Sequence, residues 1–239
     1  EGEEEPELKV VLSEAASLAE LAQFASKGFV LPSQLGVCRC PGSGAALILG
    51  WLDLVRPADL EAHGAAVGQL HRRSLGGRSN CGFARDTFCG RWCQENTWQG
   101  PGGWLPFFCA LRLRPLLRGV GAAATTIDIC PALQTLAGLE AEALQPLFRG
   151  ADLRPCLLHG DLWRGNLWSL QGCGAPVLLD PAAFWGHSEF DLASVQLLES
   201  AESAACLLAG YFREMPRAEG FEERSRLYTL CVALRLWVT

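Results

Sequence analysis

The sequence predicts an α+β fold of two unequal lobes, a small mixed lobe followed by a larger, mostly helical one, and three observations carry that expectation. Apolar residues at helical spacing open the chain, and two short apolar runs around a Pro/Gly/Ser turn follow at once. Beyond Asp53 the apolar residues recur mainly at helical spacing. That helical body is interrupted between Leu167 and Asp180 by a second strand-turn-strand pattern. With 239 residues, 49% of them hydrophobic, the chain can bury a core of that size. Residues 1–52 make up the small lobe in this scheme and residues 53–239 the larger one.

Taken in order, Glu1 to Glu7 is an acidic start expected to fray, without the positive segment of a secretory signal. A helix follows from Ser13, its expected N-cap, with Ala15, Leu18, Leu21, Ala22 and Ala25 on one face and Gly28 past its end. Phe29 to Pro32 reads as extended. Gly36–Cys40 and Ala45–Leu49 flank the turn Pro41–Gly44 as a hairpin, and Gly50 to Asp53 connects it to the rest. Pro57 to Arg73 reads as a helix with Leu60, Gly64, Val67, Gly68, Leu70 and His71 on one face. Ser74 to Gly103 lacks a sustained period and is expected to be a long loop with little regular structure. Helices are expected over Trp104–Leu117, Pro131–Phe148, Asp191–Tyr211 and Phe221–Trp237.

A formal charge of −6, with no segment that concentrates Lys and Arg, argues against a nucleic-acid partner. No apolar run reaches the length of a membrane span. Eleven cysteines in no paired metal-ligand spacing read as buried free thiols in a reducing compartment, most simply the cytoplasm, with an organelle not excluded.

The chemistry concentrates between Cys156 and Asp180. Leu167–Leu170 and Pro176–Leu179 pair across Gln171–Gly174, which brings Asn166, just before the first strand, beside Asp180, just after the second. An amide oxygen and a carboxylate at one hairpin end suit a hard cation such as Mg2+, completed by water and phosphate. Asp161, five residues before Asn166, faces the same space and could accept a hydroxyl proton. The order His-x-Asp-x-x-x-x-Asn followed by a strand-end Asp is a kinase-type pattern. Each residue has a plainer reading: Asp161 as a turn cap, Asn166 as a left-handed position, Asp180 as a turn residue before Pro181. His159 reads as structural. Ser188 and Asp191 look like a capping box, and His187 and Glu189 are expected to brace the metal hairpin.

Leu158–Asn166, with Asp180–Ala182 and Phe184–Ala193, resembles the fructosamine-kinase family, the ketosamine 3-kinases of the aminoglycoside-phosphotransferase branch of the protein-kinase-like fold. Gln94–Trp98, Trp104–Phe108 and Phe221–Tyr228 are similar as well, and the resemblance runs from about Glu14 onward. It implies a two-lobed kinase-like fold with a shortened N-terminal lobe. It also implies ATP-dependent phosphorylation of a small ketosamine, or of a glycated protein, at the sugar 3-hydroxyl. Asp161 then orients the hydroxyl, Asn166 and Asp180 hold Mg2+, and Trp163 lines the sugar pocket; a core aromatic is the plainer reading of Trp163. Leu49, Gly50, Trp51 and Leu52 form the hinge that bonds adenine, and Glu14 is the helix glutamate that pairs with the ATP-phosphate lysine.

The family places a Gly-rich strand pair and a lysine strand ahead of that glutamate. The thirteen residues before Glu14 carry neither, and Lys9 and Lys27 are poorly spaced for the role. Val232–Trp237 keeps only the Trp of the family's last helix. A catalytically impaired kinase-fold protein or truncated gene model is therefore the second expectation, and a kinase of another small sugar or amino alcohol the third.

Overall fold

The computed structural model describes residues 5–25, 28–40, 42, 44–123, 135–136, 138 and 140–238. Helix α1 spans Pro6–Ala22, with proline in its first turn, where a missing N–H costs nothing. Leu8, Leu18 and Leu21 are its buried apolar residues. The helix therefore begins before Ser13, which is buried within it and donates to Val10 O at 2.8 Å. Ser13 is not a cap, and Glu7 is helical rather than frayed, because the apolar stripe continues back to Leu8.

Strands β1 (Gln34–Cys40) and β2 (Gly44–Leu49) form the expected antiparallel hairpin, and α1 packs against both. Leu35, Val37 and Ile48 stay exposed on it. Strand β3 (Leu54–Val55) leads into α2 (Leu60–Ser74), whose N-terminus is capped by Asp59 accepting from the Glu61 and Ala62 amides.

Between α2 and Trp104 the structure departs from a featureless loop. Strands β4 (Thr87–Cys89) and β5 (Trp92–Gln94) pair antiparallel, and α1 packs on β4. Strands of three residues are too short to show a period. Trp104 onward is helical, as α3 (Trp104–Phe108), a π turn (Cys109–Leu113) and α4 (Arg114–Ala123). Pro115 has no N–H for the Leu111 carbonyl, which accepts from the Arg112 guanidinium instead, and the helix widens at that point.

Of the helix expected over Pro131–Phe148, residues 131–134, 137 and 139 lie outside the described residues; α5 (Ala141–Leu144) and a 3-10 turn (Gln145–Phe148) end that stretch. Strand β6 (Cys156–Leu158) pairs with β9 (Phe184–Gly186), while β7 (Leu167–Leu170) pairs with both β8 (Pro176–Leu178) and β3. Val30, in the extended piece after α1, bridges to Val177 of β8.

The helix expected over Asp191–Tyr211 is two, α6 (Leu192–Leu198) and α7 (Ala201–Glu214), because Ser200 starts a new N-terminus by accepting from the Ser203 amide. Helix α8 (Phe221–Val238) closes the chain. Helices α2 and α7 lie in close contact because glycines let their backbones meet: a Cβ on Gly64 would sit 1.8 Å from Leu207 O, and one on Gly210 1.9 Å from Glu61 O.

Two apolar cores flank β6. Cys156 and Leu158 face the first, with Trp104, Phe107, Phe108 and Tyr228. Leu157 faces the second, with Leu70, Leu178, Val195, Leu207 and Leu21 of α1. Strand alternation thus seats the segment that leads to Asp161 in packed side chains on both faces. The ten described cysteines are free thiols. Among the described residues no helix is long and apolar enough to cross a membrane.

Candidate active site

Beyond β6 the chain turns through His159 to Asn166. The His159 and Gly160 amides donate to the two oxygens of Asp191, at 2.7 and 2.8 Å. Asp191 also meets His71 Nε2 at 3.2 Å, and His71 Nδ1 meets the Tyr211 hydroxyl at 3.0 Å. Burial alone would raise the Asp191 carboxyl, but the His71 bond and its neighbours carry it below the usual carboxylate range. Asp191 therefore holds the loop and makes no cap bond; Ser188–Phe190 is a 3-10 turn, not a capping box. Gly160 has φ +84°, and a Cβ there would lie 1.9 Å from Ala182 O, so the turn requires glycine.

His159 is structural: Nε2 donates to Leu179 O at 2.9 Å, and Nδ1 accepts from the Asp161 amide at 3.3 Å. The pairing of Leu167 with Leu178 continues as Leu179 N donating to Asn166 O at 3.0 Å, so Asn166 and Asp180 meet at the hairpin end. Asn166 Nδ2 donates to Asp161 O at 2.9 Å and approaches Asp161 Oδ2 at 3.3 Å. Its amide nitrogen is thus directed at Asp161, leaving the amide oxygen as the atom suited to a cation. Asp180 sits at φ 51°. Burial and the Asp161 charge push its carboxyl up, with His159 opposing. Among the described residues no group of three or more His, Cys, Asp or Glu side chains forms a metal site. A hard cation here would rest on the two oxygen donors of Asn166 and Asp180, a set that fits Mg2+ completed by water and phosphate.

Helix α1 brings Glu14 toward Asp180. Burial, then Asp180, push the Glu14 carboxyl up to about 7, and among the described residues it forms no ion pair with a lysine or any other cation. The same helix fastens the segment after Asp180: Ser17 Oγ accepts from the Ala183 amide at 3.0 Å, and Glu20 accepts from Trp185 Nε1 at 3.2 Å.

Asp161 opens on a cavity of about 400 Å³ lined by Cys89, Gly90, Trp163, Leu198, Arg235 and Leu236. Trp163 is 40% exposed and so is not a core aromatic. Arg235, from the last turn of α8, donates to Asp161 Oδ1 at 3.0 Å. Nothing in the sequence pattern pointed to Arg235. At the hinge, Leu49 pairs with Gln34, Leu52 is half-buried and Trp51 is 90% exposed. The Gly50 amide already donates to Ser33 O at 2.7 Å, so that N–H is not available to a nucleobase. His187 and Glu189 do not brace the hairpin. His187 Nδ1 meets the Tyr228 hydroxyl at 2.8 Å, and Glu189 pairs with buried Arg224 at 2.7 and 2.8 Å, so both hold α8.

The fructosamine kinase family model matches residues 3–237. Ketosamine-3-kinase of Mus musculus is 29% identical over 92% of this chain and 76% of its own. The chloroplastic protein-ribulosamine 3-kinase of Oryza sativa subsp. indica is 32% identical over 91% of this chain and 60% of its own. The chain thus spans about three fifths of the rice protein's length. A candidate fructosamine-3-kinase from Thermobifida fusca superposes with a TM-score of 0.75 at 26% identity, covering 94% of this chain and 72% of that one. An aminoglycoside phosphotransferase shares the fold at a TM-score of 0.57 and 17% identity, over 96% of this chain and 75% of that one. With this protein-kinase-like fold and a family match along almost its whole length, the chain belongs to the fructosamine kinase family.

Proposed function

We propose that this chain phosphorylates ketosamines at the sugar 3-hydroxyl with ATP, as part of the repair of glycated amines. The observation that carries the reading is the convergence of Asp161, Asn166 and Asp180 at one hairpin end, beside a cavity of about 400 Å³ that Asp161 and Trp163 line. The relatives' names supply the substrate class: one acts on ketosamines and another on protein-bound ribulosamines.

In this scheme Asp161 accepts the acceptor hydroxyl's hydrogen bond and takes its proton as that oxygen bonds to the γ-phosphorus of ATP and the bond from that phosphorus to the ADP oxygen breaks. Asn166 fixes the Asp161 carboxylate through Nδ2, and Asn166 and Asp180 present oxygens to Mg2+. When bound, that ion offsets the charge of the transferring phosphoryl group. Trp163 covers one side of the sugar. Adenine is read by backbone groups of Leu49, Trp51 and Leu52, with Gly50 committed to Ser33. Glu14, raised by burial and by Asp180, is positioned to steady the phosphate-binding side. The substrate is a small ketosamine or a glycated side chain, and neither a nucleic acid nor a membrane is a partner. The rice relative is named as chloroplastic, so an organelle suits this reading as well as the cytoplasm.

The test is ADP release by the purified chain with ATP, Mg2+ and a fructosyl-amino acid, fructosyl-leucine or fructosyl-lysine, beside Asp161→Asn. Turnover by the wild type and a loss of roughly 100-fold or more in kcat for the variant are expected. Equal rates for the two would overturn the reading and favour a catalytically impaired kinase-fold protein.

A further inference from the structure

We infer that the cavity beside Asp161 selects ketosamines formed from free apolar amino acids, with Arg235 as the specificity-determining residue that pairs with their carboxylate. This rests on the reading of Asp161 as the group that meets the acceptor hydroxyl. The cavity wall contains one anion and one cation. Asp161 and Arg235 meet at 3.0 Å, with side chains 15% and 12% exposed. The Cys89 thiol, pushed up to about 12 by burial, is neutral. The remaining side chains are Trp163, Leu198 and Leu236, each 40–50% exposed at the rim.

Such a wall disfavours an acceptor bearing several ammonium groups, which would meet a guanidinium and three apolar side chains. It suits an acceptor that is polar at the sugar, anionic close by and apolar at the far end. In the adduct of a free amino acid, the 3-hydroxyl and the carboxylate are separated by C3, C2, C1, the nitrogen and Cα. A hydroxyl on Asp161 thus leaves the carboxylate near the adjoining guanidinium, whose planar fork matches it. The amino-acid side chain then lies against Trp163, Leu198 and Leu236. An adduct on a protein lysine carries four methylenes in place of that carboxylate and brings no anion to the Arg235 guanidinium.

The experiment compares fructosyl-leucine with fructosyl-leucinamide, which differ only in the carboxylate, for the wild type, Arg235→Gln and Arg235→Lys. The wild type is expected to favour the acid by roughly tenfold in kcat/KM, mostly through KM. That ratio should collapse toward one in Arg235→Gln and be partly kept in Arg235→Lys. Calorimetric binding of both compounds without ATP gives a second readout. If the acid binds tighter through Arg235 but nothing is phosphorylated, the inference holds and the proposed reaction fails. Turnover or binding that treats acid and amide alike in the wild type, a ratio unchanged in Arg235→Gln, or no binding of either compound overturns the inference.

Discussion

The two sides of the Asp161 loop are built on opposite electrostatic plans. Beneath it, two buried carboxylates have their partners: Asp191 takes two loop amides and His71, and Glu189 takes Arg224. Above it, the Glu14 and Asp180 carboxyls are both pushed up, by burial first and then by a negative neighbour, Asp180 for Glu14 and Asp161 for Asp180. The lower side is finished by the chain itself. On the upper side neither Glu14 nor Asp180 has an ion pair among the described residues, an arrangement that suits the proposed cation.

Breaking the lower side should cost most. Arg224→Met leaves Glu189 charged, buried and unpaired, and should lower stability by about 3–5 kcal/mol in urea titrations. Asp191→Asn removes a charged acceptor from two loop amides and should cost about 2–3 kcal/mol, with a fall in turnover as Asp161 loses its support. A smaller loss, about 1–2 kcal/mol, is expected for Ser17→Ala, which leaves the Ala183 amide without its acceptor behind Asp180. Stability close to wild type in Asp191→Asn would contradict the idea of a self-completed underside.

The pH response should separate the two sides by sign. His187 is depressed from 6.5 to about 3, by burial first and then by Arg224. Between those values the unfolded chain binds more protons, so its contribution is present above pH 6.5 and is lost as pH falls toward 3. Glu14 is raised from 4.5 to about 7, so the folded chain binds more protons in that window. Its contribution is present below pH 4.5 and is lost as pH rises through 7. In metal-free buffer, the stability difference between wild type and His187→Gln should therefore change along the acid limb. That between wild type and Glu14→Gln should change between pH 4.5 and 7, with Glu14→Gln the more stable protein above pH 7. Parallel stability curves for either pair would remove the distinction.

Local chemistry made part of this legible in the sequence. The β1–β2 hairpin could be read because its turn residues separate two apolar runs, and the meeting of Asn166 with Asp180 because a strand-turn-strand pattern fixes register. Asp191 is visible as part of a motif whose local pattern suggests a cap, whereas its partners lie at His159, Gly160 and His71. Arg235 could not be read, since 74 residues separate it from Asp161 and only the packing of α8 joins them. Ser13 looks like a cap because it is polar and precedes an apolar period, yet Leu8 continues the stripe behind it and the helix begins at Pro6. The change to π geometry before Pro115 had a local cause in the missing N–H, yet its outcome depended on Arg112 reaching the freed Leu111 carbonyl.

The claim that the upper side is completed by a bound cation is tested most directly by thermal unfolding at pH 8, with Mg2+ against chelator, for the wild type and Asp180→Asn. Mg2+ should raise the wild-type midpoint by roughly 2–4 °C, the response of a domain this size to about 1 kcal/mol, and should leave Asp180→Asn unmoved. With chelator, Asp180→Asn should be at least as stable as the wild type, because it relieves Glu14 of a neighbouring charge. An equal Mg2+ response in both proteins, or a marked loss of metal-free stability in Asp180→Asn, would contradict the account.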